Sequence, residues 1–145
     1  MDYIDTSALI KGYLIEPGTP DFMNWFAADA TPCVSPLSVV EFQCAIRRRE
    51  RAGELLHKRA KAILSRLDEH LADTTISQLA WPANAFAHAR DLLDRVSPLA
   101  LRALDALHLA VALQHRCVGF ATADRVQLEA ARMLGLHAHS FIYPR

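Results

Sequence analysis

Residues 101–113 read Leu-Arg-Ala-Leu-Asp-Ala-Leu-His-Leu-Ala-Val-Ala-Leu, a helical segment that is apolar almost all round. A helix without a polar face is buried. A carboxylate on such a helix must be paired, protonated or bound to a cation, because a bare buried charge costs several kcal/mol or more. Asp105 is therefore the most informative residue in the chain. Arg102, one turn earlier, is its structural alternative as an ion-pair partner. A ligand role is favoured, since buried ionisable groups mark sites.

Around that helix, short strand signals alternate with helix signals. Strands are expected near 2–5, 31–35, 73–76, 118–122 and 138–143. Helices are expected near 6–14, 20–28, 38–51, 54–71, 77–96, 99–115 and 124–134, the break at Gly53 dividing two of them. Ser77 and Ser97-Pro98 read as helix caps, and Gly135 as the glycine that closes the last helix. This alternation predicts an α/β chain with a central, mainly parallel sheet of about five strands flanked by about seven helices. At 145 residues and 52% apolar composition, it reads as one domain, 1–145.

Three further acids sit where such a sheet places chemistry. Asp5 ends the first strand and Asp124 follows the fourth. Ligands of open parallel sheets bind at the carboxyl ends of the strands. Glu41 opens a helix just after the second strand. Each has a structural alternative. Asp5 and Asp124 can cap the helices that follow them, with Thr6, Ser7 and Thr122 as other caps. Ser38-Val39-Val40-Glu41 has the form of a capping box. Together, four carboxylates at one sheet edge suit a hard divalent cation such as Mg²⁺ or Mn²⁺.

The ordered stretches Tyr3-Ile4-Asp5-Thr6-Ser7-Ala8-Leu9, Ser35-Pro36-Leu37-Ser38-Val39-Val40-Glu41-Phe42, Leu104-Asp105-Ala106-Leu107-His108-Leu109-Ala110 and Ala121-Thr122-Ala123-Asp124 resemble the PIN-domain family, above all the VapC-type toxins of bacterial toxin–antitoxin pairs. The resemblance runs nearly the full length. It implies a metal-dependent ribonuclease with Asp5, Glu41, Asp105 and Asp124 as the acidic, metal-binding positions. It also implies Thr6 and Thr122 as supporting hydroxyls and Lys11 as a basic residue one turn after the first motif. Mg²⁺ or Mn²⁺ would be the cofactor, RNA the substrate, a cognate antitoxin the protein partner, and a homodimer the assembly.

The remaining features leave alternatives open. Lys and Arg total 16, as do Asp and Glu, so net charge argues neither for nor against a polyanionic partner. Setting aside the four site acids leaves an excess of four positive charges. Basic residues of 47–66 face either RNA or a protein partner, or form a solvated face balanced by Glu50, Glu54, Asp68 and Glu69. His108 reads as a hydrogen-bonded core histidine that can touch Asp105. Phe22, Met23, Trp25 and Phe26 are core or a partner groove. Cys33, Cys44 and Cys117 lack metal-type spacing and read as reduced, buried thiols of a cytoplasmic protein. No apolar run approaches a membrane span. Beside the toxin ribonuclease stand three other readings: a catalytically inactive binding module on the same fold, a DNA-directed nuclease, and a haloacid-type hydrolase using Asp5 as nucleophile.

Overall fold

The computed structural model describes residues 1–28 and 30–143. The single-domain reading 1–145 also takes in Asp29, Pro144 and Arg145, which lie outside the described residues. Five strands, β1 (Asp2–Ile4), β2 (Pro32–Val34), β3 (Ser77–Gln78), β4 (Gly119–Thr122) and β5 (His137–Ser140), pair in the order β3-β2-β1-β4-β5, and every pairing is parallel. Seven α-helices among the described residues connect and cover them: α1 (Thr6–Leu9), α2 (Thr19–Ala27), α3 (Pro36–Arg51), α4 (His57–Ala72), α5 (Ala85–Arg95), α6 (Ala103–Gln114) and α7 (Arg125–Met133). A 3-10 turn at Ile10–Gly12 extends α1 toward the expected end near Leu14.

Side chains alternate across a strand, so a sheet covered on both faces needs apolar residues at successive positions. Tyr3, Cys33 and Phe120 pack on one face against Leu92 of α5 and Leu109 of α6. Their neighbours Ile4, Val34 and Ala121 pack on the other against Phe42, Ile46, Ile63 and Phe22. The edge strands β3 and β5 are more exposed. Residues 105–112 of α6 are all buried, which is the burial its sequence demanded.

Four local expectations are corrected. Residues 73–76 do not form a strand. Asp73 Oδ1 accepts a hydrogen bond from Thr75 N at 2.9 Å and Thr74 takes a left-handed φ of 62°, making a turn that shifts the strand to 77–78. Ser77 is consequently a strand residue, and α5 starts only at Ala85, beyond Pro82. Ser97-Pro98 lies in a turn, because Ser97, Leu99 and Leu101 give their N–H groups to the carbonyls of Asp94, Val96 and Leu99; α6 therefore opens at Ala103. Finally, α3 begins at Pro36, not Ser38. Pro at the first position lacks an N–H that would go unpaired anyway, and Ser35 with Ser38 forms the capping box, each hydroxyl 3.4 Å from the other's backbone N. Glu41 is thereby released from capping.

The thiols also divide. Cys33 and Cys117 are buried with sulfurs 3.7 Å apart, while Cys44 is exposed on α3; all three are free. No helix among the described residues is long and apolar enough to cross a membrane.

Candidate active site

Strand order reverses direction between β1 and β4, and ligands of such sheets bind outside the carboxyl ends at that switch point. The register aligns Ile4 with Ala121, so Asp5 and Thr122 follow side by side, with Asp5 N donating to Ala121 O at 3.1 Å. Asp5 and Thr122 are thus brought face to face across the sheet.

Asp5 is wholly buried. Its Oδ1 caps α1 by accepting from Ala8 N at 2.9 Å. Its Oδ2 accepts from Thr122 Oγ1 at 2.6 Å and Gln127 Nε2 at 2.7 Å, and the Ser7 hydroxyl lies within 2.9 Å of both oxygens. Burial raises its pKa above the ordinary carboxylate value; His108 and the hydrogen bonds from Thr122, Ala8 and Ser7 pull it back down. Asp124 divides its oxygens in the same way. Oδ1 caps α7 through Gln127 N at 2.9 Å, leaving Oδ2 free to face Arg102. Capping and a site role are therefore not exclusive here: one oxygen serves each.

Glu41, Asp105 and Asp124 reach from α3, α6 and the start of α7 into one cleft of about 470 Å³, with Thr6, Ser7, His108 and Gln127 lining it and Asp5 beneath. This volume lies in the ~300–1,000 Å³ range of ligand pockets. The Arg102 guanidinium lies between two of the acids. Its Nε is 2.7 Å from Asp105 Oδ2, and Nη2 is 3.5 Å from Asp124 Oδ2. With these side-chain positions, no three His, Cys, Asp or Glu groups among the described residues converge on one point as a metal site. The guanidinium holds the place of a positive charge. It is also 73% exposed, held there from the solvent side by these two acids. Every acidic donor here is a hard oxygen, and the buried Oε1 of Gln127 has no hydrogen-bond partner, leaving an acceptor available. The donor chemistry fits a divalent cation once Arg102 leaves.

His108 bridges core and site. Its Nδ1 is 2.7 Å from Tyr3 Oη and its Nε2 is 2.5 Å from Glu41 Oε1. Tyr3 Oη in turn lies 2.7 Å from Ser35 Oγ. Nε2 donates to Glu41, and Nδ1 shares the second hydrogen bond with the Tyr3 hydroxyl, so both ring nitrogens are paired. His108 is thus the expected hydrogen-bonded core histidine, but its partner is Glu41 and not Asp105. Thr6 adds a 3.3 Å hydrogen bond to the same Glu41 oxygen. Lys11 stands apart. It is buried and bonds Glu16 and the Pro17 carbonyl, and it does not line the cleft.

Sequence reasoning missed the site contributions of Ser7 and Gln127. In sequence, Ser7 reads only as a cap. Gln127 sits three residues past Asp124, a spacing that any helix start would show. In sequence, Arg102 reads as a partner of Asp105, and its reach to Asp124, 22 residues on, has no local signal.

A parallel sheet ordered 3-2-1-4-5, with an acid-lined cleft at its switch point, defines a doubly wound α/β protein with its ligand crevice at the strand ends. The sequence profile of the PIN domain matches residues 3–133, and the chain belongs to that family. It is 32% identical over 141 residues to Ribonuclease VapC47 of Mycobacterium tuberculosis, covering 93% of each chain. Two solved structures share the fold. One is VapC20 of Mycobacterium tuberculosis, described as a Sarcin-Ricin loop cleaving toxin, with TM-score 0.68, 16% identity and coverage of 86% of this chain and 91% of that one. The other is FitAcB of Neisseria gonorrhoeae, with TM-score 0.68, 18% identity and coverage of 97% and 98%.

Proposed function

We propose that this protein is a divalent-metal-dependent endoribonuclease, the toxin of a toxin–antitoxin pair. The observation that carries the reading is that Glu41, Asp105 and Asp124 line one cleft, with the buried Asp5 behind it. Kinship with a ribonuclease VapC over most of both chains supports it.

Glu41, Asp105 and Asp124 would hold Mg²⁺ or Mn²⁺ from the walls. Asp5 would do so from the floor, where Ser7, Thr122 and Gln127 donate to its Oδ2. Bound there, such an ion would supply Lewis acidity, lowering the pKa of a water and offsetting phosphate charge. The protein's own groups supply the rest. His108 orients Glu41, placing a carboxylate where it can orient or deprotonate water. Thr6 steadies the same oxygen, and Thr122 holds Asp5. An antitoxin and a second copy of the chain are proposed as protein partners. Exposed apolar residues such as Ile15 and Met23 are available to either.

The decisive experiment incubates antitoxin-free protein with total RNA. Discrete cleavage in Mg²⁺ or Mn²⁺, abolished by EDTA, is the expected result. Folded protein that neither cleaves RNA nor binds Mn²⁺ by calorimetry would return the acids to capping and ion pairing, leaving an inactive binding module.

Arg102 offers a second check. Replacing it by glutamine removes the guanidinium that competes for Asp105 and Asp124. Mn²⁺ affinity should rise roughly 1.4- to five-fold, the worth of an exposed ion pair of about 0.2–1 kcal/mol. The melting temperature in EDTA should fall, since the acids lose their counter-charge. Unchanged or weakened Mn²⁺ binding would show that Arg102 does not compete for the site.

A further inference from the structure

The same cleft has a basic end that no catalytic role uses. Glu41, Cys44, Arg48 and Arg51 all line it from α3. Their spacing of three, four and three residues keeps them on one helix face. At about 1.5 Å rise per residue, Arg48 and Arg51 stand roughly 10 and 15 Å along the axis from Glu41.

The structure also sorts the basic residues of this region. Arg47 pairs with Glu50, Arg49 with Glu16 and Arg66 with Glu69, at 2.8–2.9 Å. These are the balanced charges of a solvated surface. Arg48 and Arg51 have no acidic partner within 4 Å among the described residues, and both are exposed in the cleft. An arginine pair without counter-charge, in line with the acids and open to solvent, suits a polyanion lying along α3. Arginine's planar fork matches phosphate oxygens.

We propose that Arg48 and Arg51 form a backbone-phosphate subsite for single-stranded RNA, holding the strand on the side of the scissile bond that runs along α3. The proposal rests on the nuclease reading above. It makes these arginines positioning residues, which set where the strand lies and take no part in the bond cleavage.

The test measures binding of fluorescein-labelled oligouridylate to the full chain in EDTA, over a range of salt concentrations. Each phosphate contact adds roughly 0.7 to the salt slope of single-strand binding. The double variant Arg48→Gln/Arg51→Gln should bind at least tenfold more weakly at low salt, with a slope lower by about 1.4. Arg48→Lys/Arg51→Lys should keep most of the slope. Lys58→Gln/Lys61→Gln on the exposed face of α4 makes the same change in net charge and should leave the slope unaltered. Cys44 supplies a local readout, being the exposed thiol of the three. Bound oligouridylate should slow its alkylation in the unmodified protein but not in the Gln variant at the same concentration. If the unmodified protein binds and cleaves RNA while the Gln variant matches it in affinity, slope and Cys44 protection, the subsite is wrong and the nuclease reading stands. If the unmodified protein neither binds nor cleaves RNA, both fall.

Discussion

Asp105→Asn should lower metal-dependent RNA cleavage by at least roughly 100-fold, since losing even an outer partner of a metal ligand costs 10–100-fold. The substitution keeps the shape of the side chain and removes one negative charge. Asp105 is 6% exposed on a helix whose other buried residues are apolar apart from His108. Among the described residues its charge is offset by Arg102, at 2.7 Å. An amide needs no such offset, so the fold should be little affected and the melting temperature close to that of the unmodified protein. Cleavage of total RNA in Mn²⁺, calorimetric Mn²⁺ binding and thermal unfolding together make the check. Near-normal cleavage by a protein with Asn at 105 would remove Asp105 from the site and leave it as an ion-pair partner.

Phe120→Ala should produce the largest loss of stability, about 3–5 kcal/mol, the usual cost of truncating a buried aromatic. Phe120 is fully buried on β4 and stacks on Tyr3 with ring centroids 5.5 Å apart and planes 11° from parallel. Natural domains hold only about 5–15 kcal/mol in total. The melting temperature should therefore fall by roughly 10 °C or more for a chain of this size. The loss also reaches the site. Tyr3 hands its hydroxyl to His108, which orients Glu41. With a cavity under the Tyr3 ring, that chain of hydrogen bonds loses its support. Denaturant unfolding gives the stability, and RNA cleavage below the new melting point gives the functional consequence. A change under 1 kcal/mol would mean that the neighbouring helices collapse into the space.

The alternation of elements, the five-stranded parallel sheet and the buried run of α6 were all legible in the sequence. Helix burial follows from having no polar face, and parallel pairing follows from strands separated by helices. The failures were local. At residues 73–76, an Asx turn outcompeted the strand pattern, because a single side chain-to-backbone hydrogen bond decides so short a segment. At Ser35-Pro36, the cap nearer the strand prevailed over the equally well-spaced Ser38–Glu41 pair.

The four acids were visible because sheet edges and an apolar helix make a carboxylate conspicuous, whatever the rest of the fold. Their relations were not. That Asp5 and Asp124 each spend one oxygen on a cap depends on two helix starts meeting at one switch point. That Arg102 spans Asp105 and Asp124, or that Tyr3 reaches Glu41 through His108, joins residues 22, 105 and 67 positions apart. Sorting Arg48 and Arg51 from their paired neighbours required knowing which acids stand within 4 Å. Periodicity and spacing act along the chain and determined which residues could be buried or aligned. Partnership across space depends on how the layers pack, and only the tertiary structure decided it.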